Sequence, residues 1–130
     1  LVPVIYLKPP VLKESVLTEP FSITRLEKYR QEKIPVFVNA TASWCITCKY
    51  NELTLQGQFA ESLFKKNGIR YLEADWTNQS AEITELLESF GGSGVPLYIY
   101  YPADKEPVML PQLLTEEILK KTIETADNYK

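Results

Sequence analysis

Apolar and polar positions along the chain fall into alternating helix-like and strand-like patterns. "SITRLEKYRQEK" (22–33) places Ile23, Leu26 and Tyr29 on one side of a helix, with Ser22 as its cap. "PVFVNA" (35–40) is a short apolar run of the kind found in a strand buried on both faces. Residues 45 to 66 predict a helix with a break near Gly57, its second half turning Phe59, Leu63 and Phe64 inward. "IRYLEAD" (69–75) predicts a strand. In "NQSAEITELLESF" (78–90), Ile83, Leu86, Leu87 and Phe90 follow the i, i+3, i+4, i+7 rule behind a cap at Asn78 or Ser80. "GGSG" ends that helix, and "VPLYIYY" (95–101) predicts the next strand. "EPVMLPQLL" (106–114), bracketed by Pro107 and Pro111, predicts an edge strand. "TEEILKKTIETA" closes as a helix capped by Thr115. Glu116 and Glu117 suit its positive end, and Ile118, Leu119, Thr122, Ile123 and Ala126 face inward.

The predicted order is helix, strand, helix, strand, helix, strand, strand, helix. Its first half argues for a right-handed βαβ unit and its last part for an antiparallel edge. Residues 1–21 break the pattern. They hold Pro3, Pro9, Pro10 and Pro20, four of the nine prolines, and predict an extended arm, with one short strand at Val2 to Leu7. Residues 22–130 form the expected domain. A chain of 130 residues, 45% hydrophobic and 24% charged, is long enough for one domain with its own core. A net charge of −3, with no basic patch, argues against nucleic acid as a partner. No apolar run approaches the roughly 20 residues that span a bilayer. The opening "LVPVIYLKPP" has neither Met nor the marks of a signal peptide, and reads as part of a longer or processed chain.

The candidate chemistry lies in "PVFVNATASWCITCKYNE" (35–52), which holds both cysteines of the chain. A disulfide across so short a loop is worth roughly 2 kcal/mol in the chain-entropy model, a weak staple. Zinc takes about four ligands, and the chain offers two cysteines and no histidine. Covalent haem attachment expects His where Lys49 stands. Two thiolates could hold Cu(I), and that binding reading stays open. Redox chemistry accounts for more of the surroundings. A strand running into C-x-x-C at the start of a helix puts Cys45 where unpaired N–H groups and the macrodipole favour a thiolate. Cys45 is then the attacking sulfur, and Cys48, one turn inward, resolves the mixed disulfide. Lys49 either adds positive potential or is a solvated surface residue. Glu52, four residues after Cys48, shares its helical face and could move the Cys48 proton if burial raises its pKa; an exposed helix glutamate is the alternative. Trp44 either shields the site or fills the core.

"VFVNATASWCITCK", followed by a strand–helix pair and by "GVP" opening another strand, resembles the thioredoxin superfamily. "ASWCITCKYNE", "LEADWTN" and "SGVPLYIYYP" together resemble the C-terminal periplasmic thioredoxin-like domain of the DsbD family of thiol:disulfide interchange proteins, over about Phe21 to Ala126. The resemblance implies an α/β thioredoxin fold: a central mixed sheet of about four to five strands flanked by helices, with an extended N-terminal arm as tether. It implies that Cys45 and Cys48 are the active pair, that Pro96 is a cis-proline facing Cys45, and that the Val95 backbone pairs with an extended segment of a partner. It further implies a reductase domain of an inner-membrane protein. Electrons would come from the membrane-embedded part of the same protein and pass to periplasmic thiol proteins, with no organic cofactor or metal. Asn39, six residues before Cys45, departs from the Asp common at that position. An amide exchanges no proton near neutral pH, so any carboxylate duty falls to Glu52, and loss of an anion eases thiolate formation at Cys45. A redox-inert binding module is the other reading from a different class.

Overall fold

The computed structural model describes residues 17–92 and 94–128, so the strand expected at 2–7 and most of the predicted arm lie outside the described residues. In chain order the elements are β1 (Thr18–Pro20), α1 (Ile23–Gln31), β2 (Val36–Thr41), α2 (Ile46–Leu55) and α3 (Gln58–Lys66). They continue with β3 (Arg70–Asp75), α4 (Ala81–Ser89), β4 (Leu97–Tyr101), β5 (Val108–Met109) and α5 (Glu116–Asn128). The five strands form one sheet in the order β1-β3-β2-β4-β5, with β2 central. β1 and β2 run parallel to β3, whereas β4 is antiparallel to β2 and to β5. The expected α/β architecture, a mixed sheet of four to five strands flanked by helices, is the one observed.

Local chemistry sets the element ends. Ser22 caps α1 by accepting from the Arg25 N–H at 3.0 Å, and Thr115 caps α5 by accepting from the Ile118 N–H at 3.1 Å. Gly57 separates α2 from α3 and is the N-cap of α3. Past α4, Gly91 adopts φ 77°, a left-handed conformation that glycine takes without steric cost. The Gly92 N–H reaches the Leu87 carbonyl at 3.0 Å and the Gly91 N–H the Glu88 carbonyl at 2.9 Å, closing a Schellman turn. Ser80 sits at the N-cap of α4 without a side-chain capping bond.

Two strand expectations shift. Thr18–Pro20, inside the stretch predicted as an arm, is an edge strand of the sheet. The polar residue that hides it from a hydropathy reading, Glu19, is buried because its carboxylate accepts from the Tyr29 hydroxyl at 2.7 Å and pairs with Arg25 at 3.3 Å. The strand expected across 106–114 shrinks to two residues, Val108 and Met109, facing Tyr100 and Ile99.

Each face of the sheet has its own core. Val36, Val38 and Ala40 of β2, with Leu72, Ala74 and Ile99, pack against α1 and α4 through Leu26, Ile83, Leu86 and Leu87. Phe37, Tyr71, Tyr98 and Tyr100 pack on the other face against α2, α3 and α5 through Leu55, Phe64, Leu119 and Ile123. Every residue of β2 is buried, which is why Val36, Phe37 and Val38 run apolar without alternation. Among the described residues no helix is long and apolar enough to cross a membrane.

Candidate active site

The chain leaves the C-terminal end of β2, turns through Ala42 to Trp44, and enters α2 with Cys45 as N-cap. The Cys48 N–H donates to Cys45 Sγ at 3.1 Å, so the sulfur occupies the position that a serine or aspartate oxygen takes in an ordinary cap. Cys45 and Cys48 are joined in a disulfide, with Cα atoms 5.2 Å apart. Both are buried, Cys45 at 7% exposure and Cys48 at 1%, with Ala42 and Val95 packed against them. On reduction, a thiolate at Cys45 lies at the positive end of α2 within reach of a donor N–H, and Cys48 remains beneath it.

Val95 arrives from the loop before β4, the strand paired with β2. The Schellman turn ends α4, and the Val95–Pro96 peptide bond that follows is cis, as the resemblance implies. Pro96 is buried, and its carbonyl accepts from Gln112 Nε2 at 3.4 Å.

The "ADWTN" segment holds the rim of the site. Thr77 donates its hydroxyl to Asp75 Oδ1, while its own Oγ1 accepts from the Ser43 N–H at 2.9 Å. Trp44 Nε1 donates to the Thr77 carbonyl at 3.1 Å, and the Trp44 and Trp76 rings lie 5.9 Å apart. Hydrogen bonds from the Thr77 hydroxyl and then its N–H hold the Asp75 carboxyl below the usual range. Trp44 is 53% exposed, so of its two readings the core-filling one is excluded. Neither Thr77 nor Asp75 was singled out by sequence reasoning, because their role depends on the β3–α4 turn lying beside the β2–α2 turn.

In β2, Asn39 is 5% exposed and donates from Nδ2 to the Tyr71 hydroxyl at 3.0 Å. Glu52, half-buried one turn after Cys48, shares a cavity of about 250 Å³ with Asn39, Tyr71 and Glu73. Lys49 is exposed, and its backbone N–H continues the first turn of α2 to the Cys45 carbonyl at 3.2 Å. Of the expected group, Cys45, Cys48 and Val95 meet directly, Asn39 and Glu52 meet in the cavity, and Lys49 stands on the surface.

A residue missed by sequence reasoning is Asn51, which is fully buried. It donates to the Tyr98 hydroxyl at 2.9 Å and to the Gln112 carbonyl at 2.7 Å, and accepts from the Leu114 N–H at 3.1 Å. It thus ties α2 to β4 and to the segment before α5. A polar residue three after Cys48, on the inward stripe that continues to Leu55, was the available signal. Among the described residues no three His, Cys, Asp or Glu side chains converge as a metal site.

A thioredoxin-like family model matches residues 22–103. A thiol:disulfide interchange protein DsbD from Campylobacter jejuni strain RM1221 is 26% identical over 107 residues, covering 78% of this chain and 18% of that protein. The chain therefore spans less than a fifth of that relative's length. Among solved structures, the oxidised DsbD C-terminal domain of Neisseria meningitidis superposes with a TM-score of 0.64 at 21% identity, covering 86% of this chain and 99% of that one. A mutant thioredoxin from Halobacterium salinarum gives 0.64 at 24% identity, covering 90% and 95%.

Proposed function

The chain belongs to the thioredoxin-like family, and on that premise we propose that it is a protein-disulfide reductase exchanging electrons through Cys45 and Cys48. One observation carries the reading: the disulfide sits at the N-terminus of α2, with Cys45 as cap and Val95 of the cis-proline loop packed against it. In the dithiol form the Cys45 thiolate attacks a substrate disulfide, forming a mixed disulfide and releasing one substrate thiolate. Cys48 then loses its proton and attacks Cys45 Sγ, and the second substrate sulfur leaves with the electron pair. The Cys45–Cys48 disulfide results, and an incoming dithiol reduces it again. Neither an organic cofactor nor a metal takes part.

A protein substrate suits the surroundings. Trp44 and Ile46, both largely exposed, flank Cys45 as an apolar rim. A larger cavity, about 1010 Å³, is lined by Arg30, Pro102 and Lys121. It lies past the end of β4 opposite the cis-proline, so its size says nothing about the chemistry at the cysteines. By likeness to the DsbD proteins, the electron donor is the membrane-embedded domain of the same longer protein and the acceptors are periplasmic thiol proteins.

Titration against dithiothreitol or glutathione buffers tests the direction of flow. The expected potential is at or below roughly −220 mV, towards the roughly −270 mV of thioredoxin; a value near the roughly −120 mV of strong oxidants would reverse the direction. Glu52→Gln is expected to slow exchange by about tenfold at neutral pH while leaving the melting temperature unchanged, as for a carboxylate assisting proton transfer. Unaltered stopped-flow kinetics in that variant would remove Glu52 from the mechanism.

A further inference from the structure

A second carboxylate, Glu73, lines the cavity shared by Asn39 and Glu52, and disulfide exchange so far assigns it no part. It faces Asn39 directly across the parallel β2–β3 pairing and shares its side of β3 with Tyr71. Elements from all around line the cavity it enters: Thr18 of β1, Asn39 of β2, Glu52 of α2 and Glu61 of α3, besides Tyr71.

Asn39 gives this cavity its chemical preference. Its Nδ2 is used on Tyr71, while its Oδ1 is buried with no hydrogen-bond donor. A buried acceptor costs free energy until a donor reaches it. Ionised carboxylates offer only acceptors, whereas a protonated carboxyl offers an O–H. Burial and the neighbouring charges favour the protonated form of Glu73. Burial first, and then the negative charges of Asp75 and Glu52, push its carboxyl above the usual range. Glu61 has the same sign, Thr18 and Asn39 carry no charge, and burial keeps the Tyr71 phenol neutral.

From this juxtaposition we propose that Glu73 is a positioning residue that stores the proton exchanged with Cys48, acting through Glu52. The proposal supplies a proton path for the exchange chemistry proposed above and rests on that reading for its purpose. When Cys48 resolves a mixed disulfide, its proton moves to the Glu52 carboxylate and on to Glu73. Its sulfur bonds to Cys45 Sγ, the Cys45–substrate bond breaks, and the substrate sulfur leaves as a thiolate. Reduction by an incoming dithiol runs these steps backwards and returns the proton to Cys48. Asn39 cannot take this part, because an amide does not titrate in this range.

The test is the pH dependence of the Cys45–Cys48 equilibrium with dithiothreitol, together with the rate of resolution of a mixed disulfide, in wild type, Glu73→Gln, Glu73→Asp and Glu52→Gln/Glu73→Gln. Glu73→Gln is expected to erase one inflection from the pH profile and to slow resolution by about three- to tenfold near neutral pH. Glu73→Asp is expected to restore the inflection. The double variant should be no slower than Glu52→Gln alone, since both residues serve one path. A wild-type profile in Glu73→Gln, or multiplying effects in the double variant, would overturn the proposal. The equilibrium uses only a small dithiol, so it stays decisive for Glu73 even if the measured potential overturns the electron-donor reading.

Discussion

Cys45→Ser is expected to reduce disulfide exchange to the uncatalysed background, a loss of roughly a thousandfold or more, as removal of a nucleophile from a concerted group does elsewhere. A serine hydroxyl at the N-cap of α2 would still accept the Cys48 N–H, so the helix start and the fold should survive. What disappears is the low-lying thiolate and the sulfur that forms the mixed disulfide. Cys48→Ser should behave differently. Cys45 is left free to attack but nothing resolves the product, so a covalent adduct accumulates at one equivalent. Mass spectrometry of the two variants after mixing with a protein disulfide separates the roles. An adduct on Cys45→Ser, or wild-type turnover by it, would reverse the assignment of attacking and resolving sulfurs.

Asn51→Ala should cause the largest loss of stability of any substitution near the site. The side chain is fully buried and makes three hydrogen bonds to groups that are themselves buried or half-buried. Its removal leaves the Leu114 N–H, the Tyr98 hydroxyl and the Gln112 carbonyl without their partner. Each orphaned buried group costs about 1–3 kcal/mol, and the Tyr98 hydroxyl and Leu114 N–H belong to buried residues. A total of about 3–5 kcal/mol follows, which lowers the melting temperature of a domain this size by roughly 10–15 °C. Urea denaturation reads the change directly. A loss under about 1 kcal/mol would show that water replaces the amide. The redox potential of the refolded variant should also move, because Asn51 shares α2 with both cysteines.

Much of this was legible in the sequence, for identifiable reasons. Ile83, Leu86 and Leu87 announced α4 because a helix packed on one side repeats its apolar residues at its own period. Val36 to Ala40 announced a central strand because both of its faces are covered. The cysteine pair and its strand-to-helix setting are contiguous, so spacing alone carried them. Pro96 could be named only through family resemblance, since nothing local in "GVP" selects the cis form.

β1 escaped detection because three residues ending in proline carry too little period, and because the burial of Glu19 depends on Tyr29 and Arg25. The same limit applies at the site. Sequence by itself determined the helix and strand periods, the cap residues, and the placement of two thiols at a helix start, since these follow from neighbours one to four positions apart. Only the tertiary structure decided that Thr77 would hold Trp44, that Asn51 would reach Tyr98, and that Glu73 would face Asn39 and Glu52 in one cavity. Those contacts come from strand register and from helices packing across the sheet. Residues 21 to 47 positions apart there come together, and no local pattern encodes the meeting.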